Sequence, residues 1–318
     1  MDDFVHRQQP GRIVFGDGAW RRLPDELARL GARRVLIATS ASNRPLAESL
    51  AEALAGGCVG LLDDARQHIP VEQAERARKV AHDAGADVLV AVGGGTPLGL
   101  AKAVVHETDT AVVAVPTTYS GSEMTGISGI TRHGVKRTET SSAMLPKLVI
   151  YDPELTLPLP RAATAVPDDL EARSCALYGA YLAGLALGAT GIALHHKLCH
   201  VLGGSYGLGH GEVNAVVLPY AAAFNAPAAP TAMASVARAL GLVEPDEGRA
   251  ADAAGGCLYD FARRIGAPAS LRDLGLDHAV LDEAAKIAVD VIAENPRPLS
   301  LDSIRNVLEN AWHGERPA

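Results

Sequence analysis

The chain reads as two stretches of different periodicity. Up to about residue 160, short β-branched apolar runs alternate with segments of helical spacing, the arrangement that builds a parallel sheet from βαβ units. Arg34-Val35-Leu36-Ile37-Ala38 leads into a helical stretch around Leu46 to Ala55, and Val88-Leu89-Val90-Ala91-Val92 into one around Leu98 to His106. A third run, Ala111-Val112-Val113-Ala114-Val115, ends at Pro116. None of the three alternates apolar with polar, so each predicts a strand covered on both faces. Beyond Pro160 the sequence is rich in Ala and Leu with helical apolar spacing, and no strand is predicted. Pro153, Pro158, Pro160 and Pro167 mark the change, because proline ends helices and stiffens connections. The expected fold is an α/β domain over residues 1–160 followed by an all-α domain over residues 161–318.

One segment tests that soluble reading. From Ser174 to Leu194 no residue carries a charge, a run about as long as a bilayer span. Its composition points elsewhere: most of it is Ala, Gly, Ser, Thr, Cys and Tyr, with Leu177, Leu182, Leu185, Leu187, Ile192 and Leu194 as the strongly lipid-favouring members. Gly179, Gly184, Gly188 and Gly191 permit close backbone approach, which suits a core helix as well as a membrane pair. No second span follows, so no membrane association is expected.

Composition narrows the function classes. The 318 residues carry a formal charge of −8, which excludes nucleic-acid binding by bulk electrostatics, and the hydrophobic and charged fractions of 48% and 21% are those of an ordinary globular protein. Cys58, Cys175, Cys199 and Cys257 are widely spaced and form no Cys-x-x-Cys pair, so neither a disulfide framework nor a structural zinc site is expected, and a reducing cytoplasm is the expected location. The first residues lack the basic and apolar regions of a secretory signal.

Two loops carry candidate chemistry in the first half. Gly93-Gly94-Gly95-Thr96-Pro97 follows the second strand and opens a helix. Glycines let a backbone come close to a ligand, Thr96 is placed to cap the helix, Pro97 needs no amide partner, and the positive helix end favours phosphate. A tight turn without a ligand has the same residues, and the spacing is not the G-x-G-x-x-G fingerprint. The hydroxyl-rich loop Pro116 to Thr125 follows the next strand. In a doubly wound sheet the two loops face one crevice at the strand carboxyl ends, although hydroxyls also satisfy their own backbone. In the second half His196 and His200 are four apart on a predicted helix, and His210 follows beyond several glycines, so three imidazoles are able to converge. A lone histidine is more often a core or surface residue; this density points to a site.

These residues together resemble the iron-containing alcohol dehydrogenase superfamily, most closely its maleylacetate reductases. The likeness runs through Phe15-Gly16-Asp17-Gly18, Gly93 to Thr96, Pro116 to Thr125, Leu145 to Pro153, Ala172-Arg173-Ser174 with Ala176 to Ala180, Leu194 to His200 with Leu202-Gly203-Gly204, Asn225-Ala226-Pro227 and Asn295-Pro296-Arg297-Pro298. The resemblance implies a dehydroquinate synthase-like fold, shortened here, with NADH or NADPH in the cleft between an N-terminal nucleotide-binding domain and a helical C-terminal domain. It implies that Gly94, Gly95 and Thr96 hold the diphosphate, that Thr117, Thr118 and Thr125 line the nucleotide, and that Lys136 reaches its ribose. Thr39-Ser40 stands where many such proteins carry an acid that repels the 2′-phosphate, so either dinucleotide is admitted.

The sequence departs from that pattern at the metal. Family members ligate a metal through an Asp and a His on the first helix of the C-terminal domain and two later histidines, which correspond to His196 and His210. After Thr164 this chain runs almost at once into Val166 to Arg173, so the block carrying both upstream ligands is missing. No resident metal is expected; His196 and His210 would be remnant ligand positions. A metal-independent NAD(P)H-dependent reductase of maleylacetate or a related unsaturated keto acid is expected, with His196, His200 and His210 around the substrate and His200 as proton donor. Lys136, Lys197 and Arg173 are further sources of positive charge. A non-redox elimination or cyclisation enzyme and a non-catalytic paralogue are the alternatives. Loss of the block should expose apolar surface on the Ser174–Leu194 helix, so a homodimer is expected.

Overall fold

The computed structural model describes residues 11–317 apart from 68, 107, 109, 133, 134 and 160–167, and does not describe the side chains of residues 132–137. Its contacts divide the chain into two units, one up to Gly191 and one from Ile192.

The first unit is a wound sheet. In chain order its strands and helices are β1 (Arg12–Phe15), α1 (Leu23–Arg29), β2 (Val35–Thr39), α2 (Arg44–Ala53), β3 (Cys58–Leu62), α3 (Val71–Asp83), β4 (Val88–Gly93), α4 (Gly95–Val105), β5 (Ala111–Pro116), the hairpin β6 (Ile127–Arg132) with β7 (Val135–Thr140), β8 (Leu148–Tyr151) and α5 (Leu170–Thr190). The main sheet has the order β1-β8-β5-β4-β2-β3, and every pair in it is parallel. The unbroken apolar runs follow from this geometry. Leu36, Ala38, Leu89, Ala91, Val112 and Ala114 pack with residues of α3 and α4, while Ile37, Val88, Val90, Val92, Val113 and Val115 pack with α1 and α2 on the opposite face. The chain runs outward from β2 to β3, then crosses back to β4 and continues the other way, which places the topological switch point between the carboxyl ends of β2 and β4.

The second unit contains α6 (Leu194–Tyr206), α7 (His210–Asn225), α8 (Pro230–Ala239), α9 (Glu247–Asp252), α10 (Ala254–Arg264), α11 (Leu281–Val291) and α12 (Leu301–His313). Its core gathers Leu198, Leu202, Val213, Val217, Ala284, Ala288, Ile304 and Leu308, the inward faces of α6, α7, α11 and α12. The helical half is as expected, and no described residue beyond 168 is in a strand.

The boundary expected at Pro160 lies outside the described residues; contacts join α5 to the first unit, because Leu177 enters the sheet core and the helix packs on the 122–124 and 153–156 turns. Arg173 helps to fix it: buried, it donates to the Tyr119 hydroxyl at 3.3 Å and the Leu159 carbonyl at 3.4 Å. Among the described residues no single helix is long and apolar enough to cross a membrane.

Candidate functional site

The two loops predicted from the sequence stand at the ends of neighbouring strands, joined where the Thr117 amide donates to the Gly93 carbonyl at 3.0 Å. Gly93 has φ of +137°, a backbone that a side chain strains, and a Cβ there would also stand 2.9 Å from the Pro97 ring. Thr96 does not cap α4 as expected. Gly94 is the N-cap, no side chain bonds the first turn, and Thr96 is the second helical residue. The amides of Gly95 and Thr96 therefore belong to the group that a helix cannot satisfy internally, at the positive end of its dipole, and Gly95 is exposed. A Cβ on Gly94 would stand 3.0 Å from the Thr118 side chain, so the backbone is kept bare where the two loops meet. The end of β2 adds Ser40 and Asn43, linked by a 3.3 Å hydrogen bond beside Gly93.

The expected nucleotide residues separate into two groups. Gly94, Gly95 and Thr96 on the glycine turn are accessible or half-buried beside the half-buried Thr118 of the hydroxyl loop, whereas Thr117 and Thr125 are buried. The Thr125 hydroxyl faces inward, donating to the Ser122 carbonyl at 3.0 Å and accepting from Lys102 Nζ at 3.3 Å. The side chain of Lys136 lies outside the described residues.

Behind the hydroxyl loop is a polar cluster that sequence reasoning missed. Lys102 is fully buried on α4 and its Nζ also donates to the Ser122 and Ile127 carbonyls at 2.7 and 3.1 Å. Burial pushes its ammonium down to about 7, with the Glu123 carboxylate opposing the shift. Glu123 is also buried, accepts from Tyr151 Oη at 2.9 Å and Ser120 Oγ at 3.3 Å, and is raised above the usual carboxylate range by desolvation. This cluster braces residues 120–127 from inside. Its signal in the sequence is that Lys102 is the lone charge from Pro97 to Val105. A cavity of about 220 Å³ lies on the far side of Glu123, lined by Tyr181, Leu185, Ser141 and Pro146 near the amino ends of β1 and β8. It shares no residue with the glycine turn, and ligands of wound sheets bind at the opposite, carboxyl ends.

In the second unit the three histidines do converge. The ring centroids of His196 and His200 are 4.7 Å apart, those of His196 and His210 5.3 Å, and those of His200 and His210 5.8 Å. One ring nitrogen from each lies within 4.8 Å of the other two, and all three residues are half-buried. Local structure explains the approach. His196 and His200 share one face of α6, Gly207 ends that helix in the left-handed conformation, and His210 is the first residue of α7. His195 Nε2 lies 3.1 Å from the Asn214 carbonyl, which pins α6 to α7 beside the cluster, and burial lowers the pKa of this imidazole. The start of α6 is held by Asn295, whose Oδ1 accepts from the Leu194 amide at 3.3 Å and whose Nδ2 donates to Asn225 Oδ1 at 2.7 Å. The Asn225 and Asn295 motifs are thus supports for the histidine helix. Lys197 is half-buried on the same helix, and the Cys199 thiol is buried and raised above its ordinary pKa, so it is no ready nucleophile.

Comparison with known proteins gives this geometry a context. Residues 10–153 match the model of iron-containing alcohol dehydrogenase, and residues 157–312 that of the C-terminal part of the Fe-containing alcohol dehydrogenase family. The maleylacetate reductase of Burkholderia cepacia is 40% identical over 361 aligned residues covering the whole of both chains. Crystal structures of maleylacetate reductase from Rhizobium sp. and from Agrobacterium tumefaciens superpose with TM-scores of 0.88 and 0.89, at 40% and 39% identity and over all of each chain. Matches that span both the sheet and the helical region leave one conclusion: the chain is an oxidoreductase of the iron-containing alcohol dehydrogenase family.

Proposed function

We propose that this protein is an NAD(P)H-dependent reductase of maleylacetate or a closely related unsaturated keto acid. The observation that carries the proposal is the convergence of His196, His200 and His210 in a chain 40% identical to a maleylacetate reductase over its full length. An uncapped α4 turn with an exposed Gly95 fits a cofactor diphosphate, which Gly94, Gly95 and Thr96 would hold beside Thr118. When bound, the nicotinamide supplies hydride to the carbon–carbon double bond conjugated with the substrate's carbonyl. Negative charge then collects on an enolate oxygen, and imidazole donors preset around it stabilise that charge without reorganising. In the metal-free site His200 donates the proton that completes reduction at the α-carbon, a task suited to an imidazole. Thr125 acts behind the loop rather than on the nucleotide, through the Lys102 cluster, and buried Thr117 joins the two loops through its amide to the Gly93 carbonyl.

The upstream metal ligands are absent in this reading. The alignment to the Burkholderia cepacia enzyme extends over 361 positions against 318 residues in this chain, as expected if a block is missing. The donor set that is present still suits a divalent cation: three imidazoles with nitrogens within 4.8 Å of one another. Bound there, such an ion would polarise a substrate carbonyl as a Lewis acid. The geometry thus gives no support to the metal-independence expected from the sequence.

Titration calorimetry with NADH and with NADPH tests the proposal. One nucleotide bound per chain, lost in Gly95→Trp, is expected; no binding of either overturns it.

A further inference from the structure

We propose that His200 replaces the missing ligands, so that His196, His200 and His210 form a three-nitrogen site selective for zinc(II). The inference rests on the reading of the histidine cluster as the reaction centre. It is the cluster with metal-binding geometry among the described residues, and it contains no carboxylate. Zinc–nitrogen bonds of about 2.0–2.1 Å put tetrahedral donors roughly 3.4 Å apart. The nitrogens, all within 4.8 Å of one another, need to close by little more than an ångström at the widest pair. The rings stand on one face of α6 and at the first residue of α7, and rotation about their side-chain bonds is the movement that would close them.

The donor chemistry chooses the ion. Non-haem iron(II) favours two histidines with a carboxylate, whereas three imidazoles around an open fourth position are a catalytic zinc arrangement. Three neutral ligands also leave the full dipositive charge on the ion, which makes it a strong Lewis acid toward whatever occupies the open position. His200 is a ligand in this arrangement, so with the ion bound its coordinated nitrogen gives no proton, and water supplies the one that completes reduction. His200 is held to the others by the 4.7 Å and 5.8 Å ring separations on its two sides.

The test uses the full-length protein stripped with a chelator, then titrated with cobalt(II) as the spectroscopic stand-in for zinc. Binding of one cobalt(II) per chain with the intense visible bands of four-coordinate nitrogen ligation is expected, with zinc displacing it and iron(II) failing to do so. His200→Ala and His200→Gln should each weaken cobalt binding by more than about 100-fold, beyond the 10- to 100-fold typical of losing an outer-sphere partner. His278→Ala should change nothing, since His278 pairs with Glu309 on α12 and is not part of the cluster. Far-ultraviolet circular dichroism of each variant establishes that α6 has folded. The proposal is overturned if the wild-type protein holds no stoichiometric cobalt, if iron(II) displaces it, or if folded His200 variants keep the wild-type affinity and spectrum. Nucleotide calorimetry on the same stripped protein separates this from the reductase reading, since NAD(P)H binding to the glycine turn requires no metal.

Discussion

At the scale of single residues the buried Lys102 makes the sharpest statement. A charged amine at a site with no solvent exposure costs folding free energy, and only the carbonyls of Ser122 and Ile127, the Ser122 and Thr125 hydroxyls and the field of Glu123 offset it. The folded pKa near 7 lies below the ordinary lysine value of 10.5. Below the folded value both states carry the proton, and the full cost of burial is paid. Between the two values the unfolded chain binds more protons than the native one, so stability attributable to Lys102 rises with pH across that window. Thermal unfolding of the wild type and of Lys102→Met from neutral pH to pH 9.5 should show the wild type gaining on the variant as pH rises. A difference that stays flat would mean that the amine keeps its ordinary titration. The sequence reading passed over this residue, although a lone charge in an apolar helix is its signal; its partners leave none, since they come from a loop and from β6.

At the scale of elements, α5 and the hydroxyl loop are one packed unit. A Cβ on Gly184 would meet the backbone of Gly121, and one on Gly188 would stand 2.7 Å from the Met124 carbonyl oxygen. Those glycines let the helix lie directly on residues 121–125, as the small-residue pattern suggested, while Gly179 meets nothing and Gly191 serves the helix end with φ of +87°. Gly184→Ala should destabilise the protein by about 1–3 kcal/mol, because rigid backbone on the other side cannot yield. Differential scanning calorimetry checks this, and an unchanged transition would refute the contact. The elements most legible in the sequence were β2, β4 and β5, whose unbroken apolar runs reflect helices on both faces. β1 and β3 were not, since edge strands of four and five residues have one neighbour and incomplete burial, and β6–β7 carries Thr, Arg and Lys in place of an apolar face. The histidine pair on α6 was legible because four-residue spacing fixes a shared face; the ring distance to His210 needed the Gly207 turn.

At the scale of the whole molecule, α5 carries an apolar face that the described residues leave uncovered. Tyr178, Leu182 and Leu185 are 52%, 45% and 37% exposed on a helix that carries no charge from Ser174 onward. Burying such a face against a second copy stabilises both, so multi-angle light scattering at micromolar concentration should give twice the 33.0 kDa chain mass, and a monomer would remove the homodimer from the account. The two-part organisation was legible as a change of periodicity. The assignment of α5 was not, because an apolar helix next to a boundary packs equally well on either side by composition alone. The central claim concerns the molecule's chemistry, and turnover tests it most directly. Purified protein mixed with maleylacetate and NADH or NADPH should oxidise one nucleotide per substrate reduced, with His200→Ala losing most of the rate while still binding nucleotide. Failure of the wild-type protein, folded and nucleotide-bound, to consume either cofactor with maleylacetate would contradict the account.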